Sequence, residues 1–185
     1  MKKRIFWITR TAMMLALLIV LQWATSFVPK PAGQFITGSC VNAVLAVTAL
    51  LCGISGGVAV ALLSPVFAYL FGIAPNLVAV PAIMLGNTAF VAVLSLFANG
   101  NCLWRKAVAL LLAALSKFIL LYLLVVVLIC GPLSGWLISA ELMKKPMVAA
   151  MTASFSWPQL ITALIGGAVA LAILPVLKKA VKNGN

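Results

Sequence analysis

The sequence predicts an all-α fold, a single integral-membrane bundle of about six transmembrane helices with both termini on the cytoplasmic side. Three observations carry that reading. Hydrophobic residues make up 65% of the 185-residue chain and charged residues only 8%, where a soluble domain carries about 25% charged residues; the mean hydropathy is +1.26. Apolar runs recur along the chain at lengths that cross, or nearly cross, a hydrocarbon core. The cations gather at the ends of those runs, as the positive-inside rule expects for cytoplasmic segments: Lys2, Lys3, Arg4 and Arg10 before the first, Arg105 and Lys106 before the fifth, Lys178, Lys179 and Lys182 after the last. The even hydrophobicity leaves no separate soluble domain. Residues 1–185 therefore read as one transmembrane domain, with 1–10 a basic cytoplasmic leader and 178–185 a cytoplasmic tail.

The first span is expected over 11–28, running outward. It resembles a secretory signal but is at the long end for one, and further spans follow. Ala12 and Ala16 lie four residues apart, on one face near its inner end, where small side chains let another helix approach closely. Pro29, Pro31 and Gly33 then predict an outer loop over 29–37, which carries Gln34. Helix 2 is expected inward over 38–52 with Asn42 inside it, an inner turn at 53–57, and helix 3 outward over 58–71, disturbed by Pro65 after Ser64. A second outer loop, 72–79, holds Pro75 and Asn76. Helix 4 spans 80–97 with Asn87 at mid-depth, and 98–106 is polar, basic and cytoplasmic. Helix 5 is expected over 107–130. The segment 131–157 reads as an outer loop with an interfacial helical piece, and helix 6 returns inward over 158–177 with Gln159 and Thr162 in its first half.

Charge and residue type remove whole classes of chemistry. Thirteen Lys and Arg stand against one acid, Glu141, giving a net charge of +12. The cations sit at helix ends rather than in a phosphate-tracking stripe, so nucleic-acid binding is set aside. With one carboxylate and no histidine, the chain cannot supply a carboxylate pair, a Ser/His/Asp triad, a His-based metal site or an Asp/Glu/His proton relay. It carries no Walker motif. A non-enzyme without cofactor is the expectation. The four cysteines show no CxxC spacing and read as small hydrophobes, although Cys40 and Cys130 both fall toward the outer surface, where a disulfide is a matter for geometry.

Lys117 is the residue that asks for an explanation. It sits beside Ser116 in the middle of the apolar fifth run, on the order of 15 Å from an end at 1.5 Å per residue. A cation at bilayer centre costs roughly 3 kcal/mol on insertion scales, so it faces protein or a wet cavity rather than lipid. It either faces a polar cavity or ligand, or is satisfied by carbonyls of a broken neighbouring helix or by tilting toward water. Taken with Asn42 and Asn87, it favours a small enclosed polar site. Ser64, Thr88 and Thr162, taken singly, read as hydrogen bonds between helices. A lysine with no acid in any span favours an anionic or carbonyl-rich ligand, an argument that pairing with Glu141 would remove.

The small, basic, six-helix pattern with Ala12-x-x-x-Ala16, the block ITGSCVNAVLAVTALLCGISGGVAVALLSPVFAYLFGI, and the segments VPAIMLGNTAFV, SKFILLY and PQLITALIGG resemble the substrate-binding S-component of energy-coupling factor (ECF) vitamin transporters. The resemblance covers nearly the whole chain through loose patterns of small and apolar residues. It implies a subunit of the bacterial cytoplasmic membrane that binds a vitamin or precursor near the outer face. It further implies docking, through small residues such as Ala12 and Ala16, on a transmembrane coupling subunit driven by two cytoplasmic ATPases. The loops 29–37 and 72–79 would gate the pocket. The candidate ligand-binding set is Lys117, Asn42, Asn87, Asn76, Gln34 and Ser116. A standalone carrier or channel, and a non-transporting scaffold whose partner helix satisfies Lys117, stand as alternatives; a carrier is disfavoured by the lack of an inverted repeat and of coupling carboxylates.

Overall fold

The computed structural model describes residues 2–29, 31–98, 100 and 102–183; the side chains of Lys2, Lys3 and Lys182 and residues 184–185, which belong to the expected leader and tail, lie outside the described residues. The described chain is all-helical. The long helices are α1 (Lys2–Ser26), α2 (Ala32–Leu70), α3 (Val80–Phe97), α4 (Leu103–Leu121) and α7 (Trp157–Asn183); α5 (Ser134–Ser139) and α6 (Lys145–Ser154) are short. Among the described residues, five helical stretches are long and apolar enough to cross a membrane.

Six crossings arise because α2 is two arms. At about 1.5 Å per residue its 39 residues would reach about 58 Å, twice a hydrocarbon core. It folds back at Gly53, whose φ of 75° and ψ of −173° break the helix; only glycine reaches that conformation without strain. Contacts along α1 show the reversal. Thr37 donates to Thr25 and Gln22 donates to the Ser64 carbonyl, while Trp7 donates to the Cys52 carbonyl. The first arm therefore descends from the level of Thr25 to that of Trp7, and the second climbs back to Gln22. The expected turn over 53–57 shrinks to one residue, because Gly56 and Gly57 are good enough helix members once buried against α1 and α3.

Other boundaries move for physical reasons. The expected loop 29–37 is helical from Ala32, since Pro31 caps the first turn and Gly33 and Gln34 bond back to the Pro29 and Pro31 carbonyls. The expected straight helix over 107–130 starts at Leu103 and gives way to a π-helix over Tyr122–Ile129, an i→i+5 geometry that Cys130 N closes onto the Val125 carbonyl. The segment 131–157 is more ordered than a loop: α5 and α6 bury Leu137, Met143, Met151 and Phe155 against Leu121, Val125 and Ile129 as a second small core. Glu141, at φ 58°, ends α5 in the left-handed position, with Leu142 N on the Leu137 carbonyl, and stays exposed. The last helix runs on through Pro175 to Asn183. All four cysteines are free.

The arms of α2 form the centre of the bundle, touching α1, α3 and α7, while α4 closes the ring against α3 and α7. The main core, with Leu18, Leu45, Val60, Phe90, Leu94, Ala113 and Ala163, fills the half nearer the chain's N-terminus. The opposite half holds a chamber beside the second small core.

Candidate functional site

Small residues bring the polar ones together. A Cβ on Gly166 of α7 would strike the Ser39 carbonyl and come within 2.8 Å of the Asn42 Cβ, so that glycine lets α7 lie directly on the first arm of α2. Thr162, one turn earlier, then takes a hydrogen bond from Asn42 Nδ2 at 3.4 Å. On the other side Asn87 of α3 donates from Nδ2 to Ser64 Oγ at 3.1 Å. Each Asn is thereby pinned through its amide nitrogen, which turns both carboxamide oxygens toward α4. Lys117, 3% exposed, donates from Nζ to Asn42 Oδ1 at 2.6 Å and to Asn87 Oδ1 at 2.7 Å. Its ammonium also lies 5.8 Å from the centre of the Phe90 ring.

This cluster forms part of the wall of a chamber of about 210 Å³. Gln22, Thr25 and Ser26 come from α1, Gln34, Thr37 and Asn42 from the first arm of α2, and Ser64 and Pro65 from the second. Residues 72–75 add the connecting loop, with Ile83 and Asn87 from α3, Lys117 from α4, Ala150, Ser154 and Phe155 from α6 and its C-terminal end, and Gln159 from α7. Pro65 sits within α2 without ending it. The carbonyl of neighbouring Ser64 takes the Gln22 amide at 3.1 Å. Opposite the Lys117 cluster, Gln34 and Ser154 bond reciprocally: Gln34 Nε2 to the Ser154 carbonyl at 3.1 Å, and Ser154 Oγ to Gln34 Oε1 at 3.2 Å. Gln159 Nε2 joins the same carbonyl at 3.2 Å.

Lys117, Asn42, Asn87 and Gln34 thus share one chamber, and Glu141 is exposed rather than paired with Lys117. Asn76 and Ser116 do not line it. Asn76 accepts from Val78 N at the head of the 3₁₀ turn Leu77–Ala79 and donates to the Leu142 carbonyl at 2.9 Å, which ties the 72–79 loop to the end of α5. Ser116 Oγ is spent on the Ala113 carbonyl of its own helix at 2.8 Å. Ala12 and Ala16 are both exposed on α1, away from the chamber. The sequence reading missed Gln22, Thr37, Ser154 and Phe155. Gln22 had a usable signal, a carboxamide inside an apolar run; Ser154 and Phe155 had none, because nothing local announces that α6 folds back over the opening.

Among the described residues, the chamber presents one cation, several carboxamides and hydroxyls, and no carboxylate. It can accept the carbonyl or carboxylate of a small solute and surround the rest with Val41, Pro65, Ile83 and Phe155. Comparison with known proteins gives the frame for it. The family model described as the substrate-specific component of the ECF transporter matches residues 7–178. No curated protein and no solved structure matches the chain. A multi-pass helical bundle around a half-open chamber, with a family match across nearly its whole length, makes this chain a member of the ECF transporter substrate-specific components.

Proposed function

We propose that the chain is the high-affinity binding subunit of an ATP-driven uptake transporter for a vitamin or precursor in a bacterial cytoplasmic membrane. The observation that carries this reading is the buried Lys117 ammonium, held between two neutral carboxamide oxygens on the wall of a chamber. Neutral partners leave its charge uncompensated, and an ammonium has three donors of which these contacts use two. An anionic or carbonyl-rich solute supplies the missing partner. The chain has no means of hydrolysing ATP, so transport rests on a transmembrane coupling subunit and two cytoplasmic ATPases. Ala12 and Ala16, exposed and four residues apart on α1, are the proposed docking face.

Native mass spectrometry of the purified chain, together with ATP-dependent uptake in cells expressing the coupling module, tests both parts. The expected result is a retained small molecule, and uptake lost in Ala12→Trp and Ala16→Trp while binding by the purified variants persists. Loss of binding in those variants, or uptake by the chain alone, would count against the assignment.

A further inference from the structure

The chamber's dimensions and chemistry say more about its ligand than the family does. Resting on the binding-subunit reading above, we propose that the ligand is a compact monocarboxylate, about one six-membered ring plus its carboxylate in size. It is seated with the carboxylate toward Lys117, and the Gln34–Ser154 clasp sets the size limit.

Volume is the first argument. A cavity of about 150 Å³ accommodates benzene, and the chamber here measures about 210 Å³. The difference is the space of one small substituent. Pockets for drug-sized molecules begin at about 300 Å³, so a fused multi-ring ligand fits only by projecting out of the half-open chamber or by parting its wall. The wall that would have to part is fastened: three hydrogen bonds meet at Ser154, one donated by Gln34, one donated back to Gln34 and one donated by Gln159. The Asn76 bond to the Leu142 carbonyl holds the neighbouring 72–79 loop to the same connection.

Charge is the second argument. Among the described residues, Lys117 is the only charged side chain on the chamber wall. A cationic ligand would find no counter-ion and would meet a like charge. A dianion would leave its second charge among amides and hydroxyls with no described cation to pair it. One carboxylate matches one ammonium. The amides on the wall, Gln22, Gln34 and Gln159, can serve ring heteroatoms or hydroxyls but do not demand a second charge.

The full-length chain in lipid nanodiscs is tested by equilibrium dialysis against three groups of probes. The first is single-ring monocarboxylates (benzoate, pyridine-3-carboxylate, cyclohexanecarboxylate) with an open-chain acid of equal size. The second is the primary amides of the same acids; the third is 2-naphthoate, riboflavin and folate. The expected result is binding within the first group, at least tenfold weaker binding of the matching amide, and no binding in the third. In Gln34→Ala, 2-naphthoate gains binding relative to the single-ring acid. Binding of riboflavin or folate by the unmodified chain, or an amide equal to its acid, overturns this inference and leaves the binding-subunit reading standing. Silence from every probe overturns both.

Discussion

The two halves of this bundle share their long helices and do opposite things. In the half nearer the N-terminus, Leu18, Leu45, Val60, Phe90, Leu94, Ala113 and Ala163 are buried to the last few per cent or less and fill the space between helices. Within about one turn on the same helices, the inward positions become Gln22, Asn42, Ser64, Asn87, Lys117 and Thr162, and the space opens into the chamber. What changes is residue type at inward positions, not the path of the backbone. Alanine and leucine interdigitate and exclude everything, including water. Carboxamides and an ammonium need partners in fixed directions, and meeting those directions leaves room between them. The closed half therefore sets the helix positions, and the hollow half uses them.

That division can be broken from the closed side first, where the effect is largest. Leu94→Ala on α3 removes a side chain that is fully buried in the main core. The expected cost is about 2–5 kcal/mol of bundle stability, the usual range for a large-to-small change in a close-packed interior. Inside a membrane the loss falls on packing contacts between helices rather than on contact with water. Denaturing-detergent titration of the purified protein measures it. If the halves are separate in role, the variant that remains folded keeps its ligand affinity within a few-fold. A large loss of affinity at folded conditions would mean that core and chamber are one unit.

The hollow side gives the converse. Lys117→Ala removes the cation and leaves the Asn42 and Asn87 oxygens without their donor. Ligand binding is expected to weaken by about 1–3 kcal/mol, the scale of one charge-assisted hydrogen bond. The stability of the ligand-free bundle is expected to fall less than in Leu94→Ala, because the ammonium was costly to bury in the first place. Isothermal titration and the same detergent titration separate the two effects. Unchanged affinity in a folded variant would remove Lys117 from the site and leave it as a brace between α2, α3 and α4.

How far each half could be read from the sequence follows the same logic. The closed half was legible as apolar runs and their lengths, since a buried helix announces itself by composition alone. The turn at Gly53 was legible from its glycines, though not that one residue suffices. In the hollow half, the meeting of Lys117, Asn42 and Asn87 was legible because a polar group within an apolar run must be matched by another. Asn76 lies off the chamber wall: a polar residue in a loop is most often a cap, and it caps the 3₁₀ turn while holding the Leu142 carbonyl. The clasp was not legible at all. Gln34 and Ser154 stand 120 residues apart, and neither neighbourhood carries a trace of the other. Nor was the π-helix over Tyr122–Ile129, which no local residue preference distinguishes from an α-helix.

The smallest effect concerns which end of the bundle faces which side, and it rests on one cysteine. Cys102 is exposed at the start of α4, on the closed end, beside Arg105 and Lys106. The backbone N–H groups of Arg105 and then Trp104, with the charges of Arg105 and Lys106 adding, hold its thiol below the ordinary value. A lowered value means more thiolate at a given pH, and the thiolate is the reacting form. Labelling of Cys102 should therefore set in at lower pH than for an ordinary exposed thiol, and flatten once the group is fully ionised. The positive-inside pattern puts this end in the cytoplasm, so a membrane-impermeant maleimide should reach Cys102 in inside-out vesicles and miss it in intact cells. With Cys40, Cys52 and Cys130 replaced by Ala, the comparison is between two preparations of one protein. Labelling in intact cells would reverse the bundle: the closed half would then face outward, and the chamber would open on the side where the ATPases work.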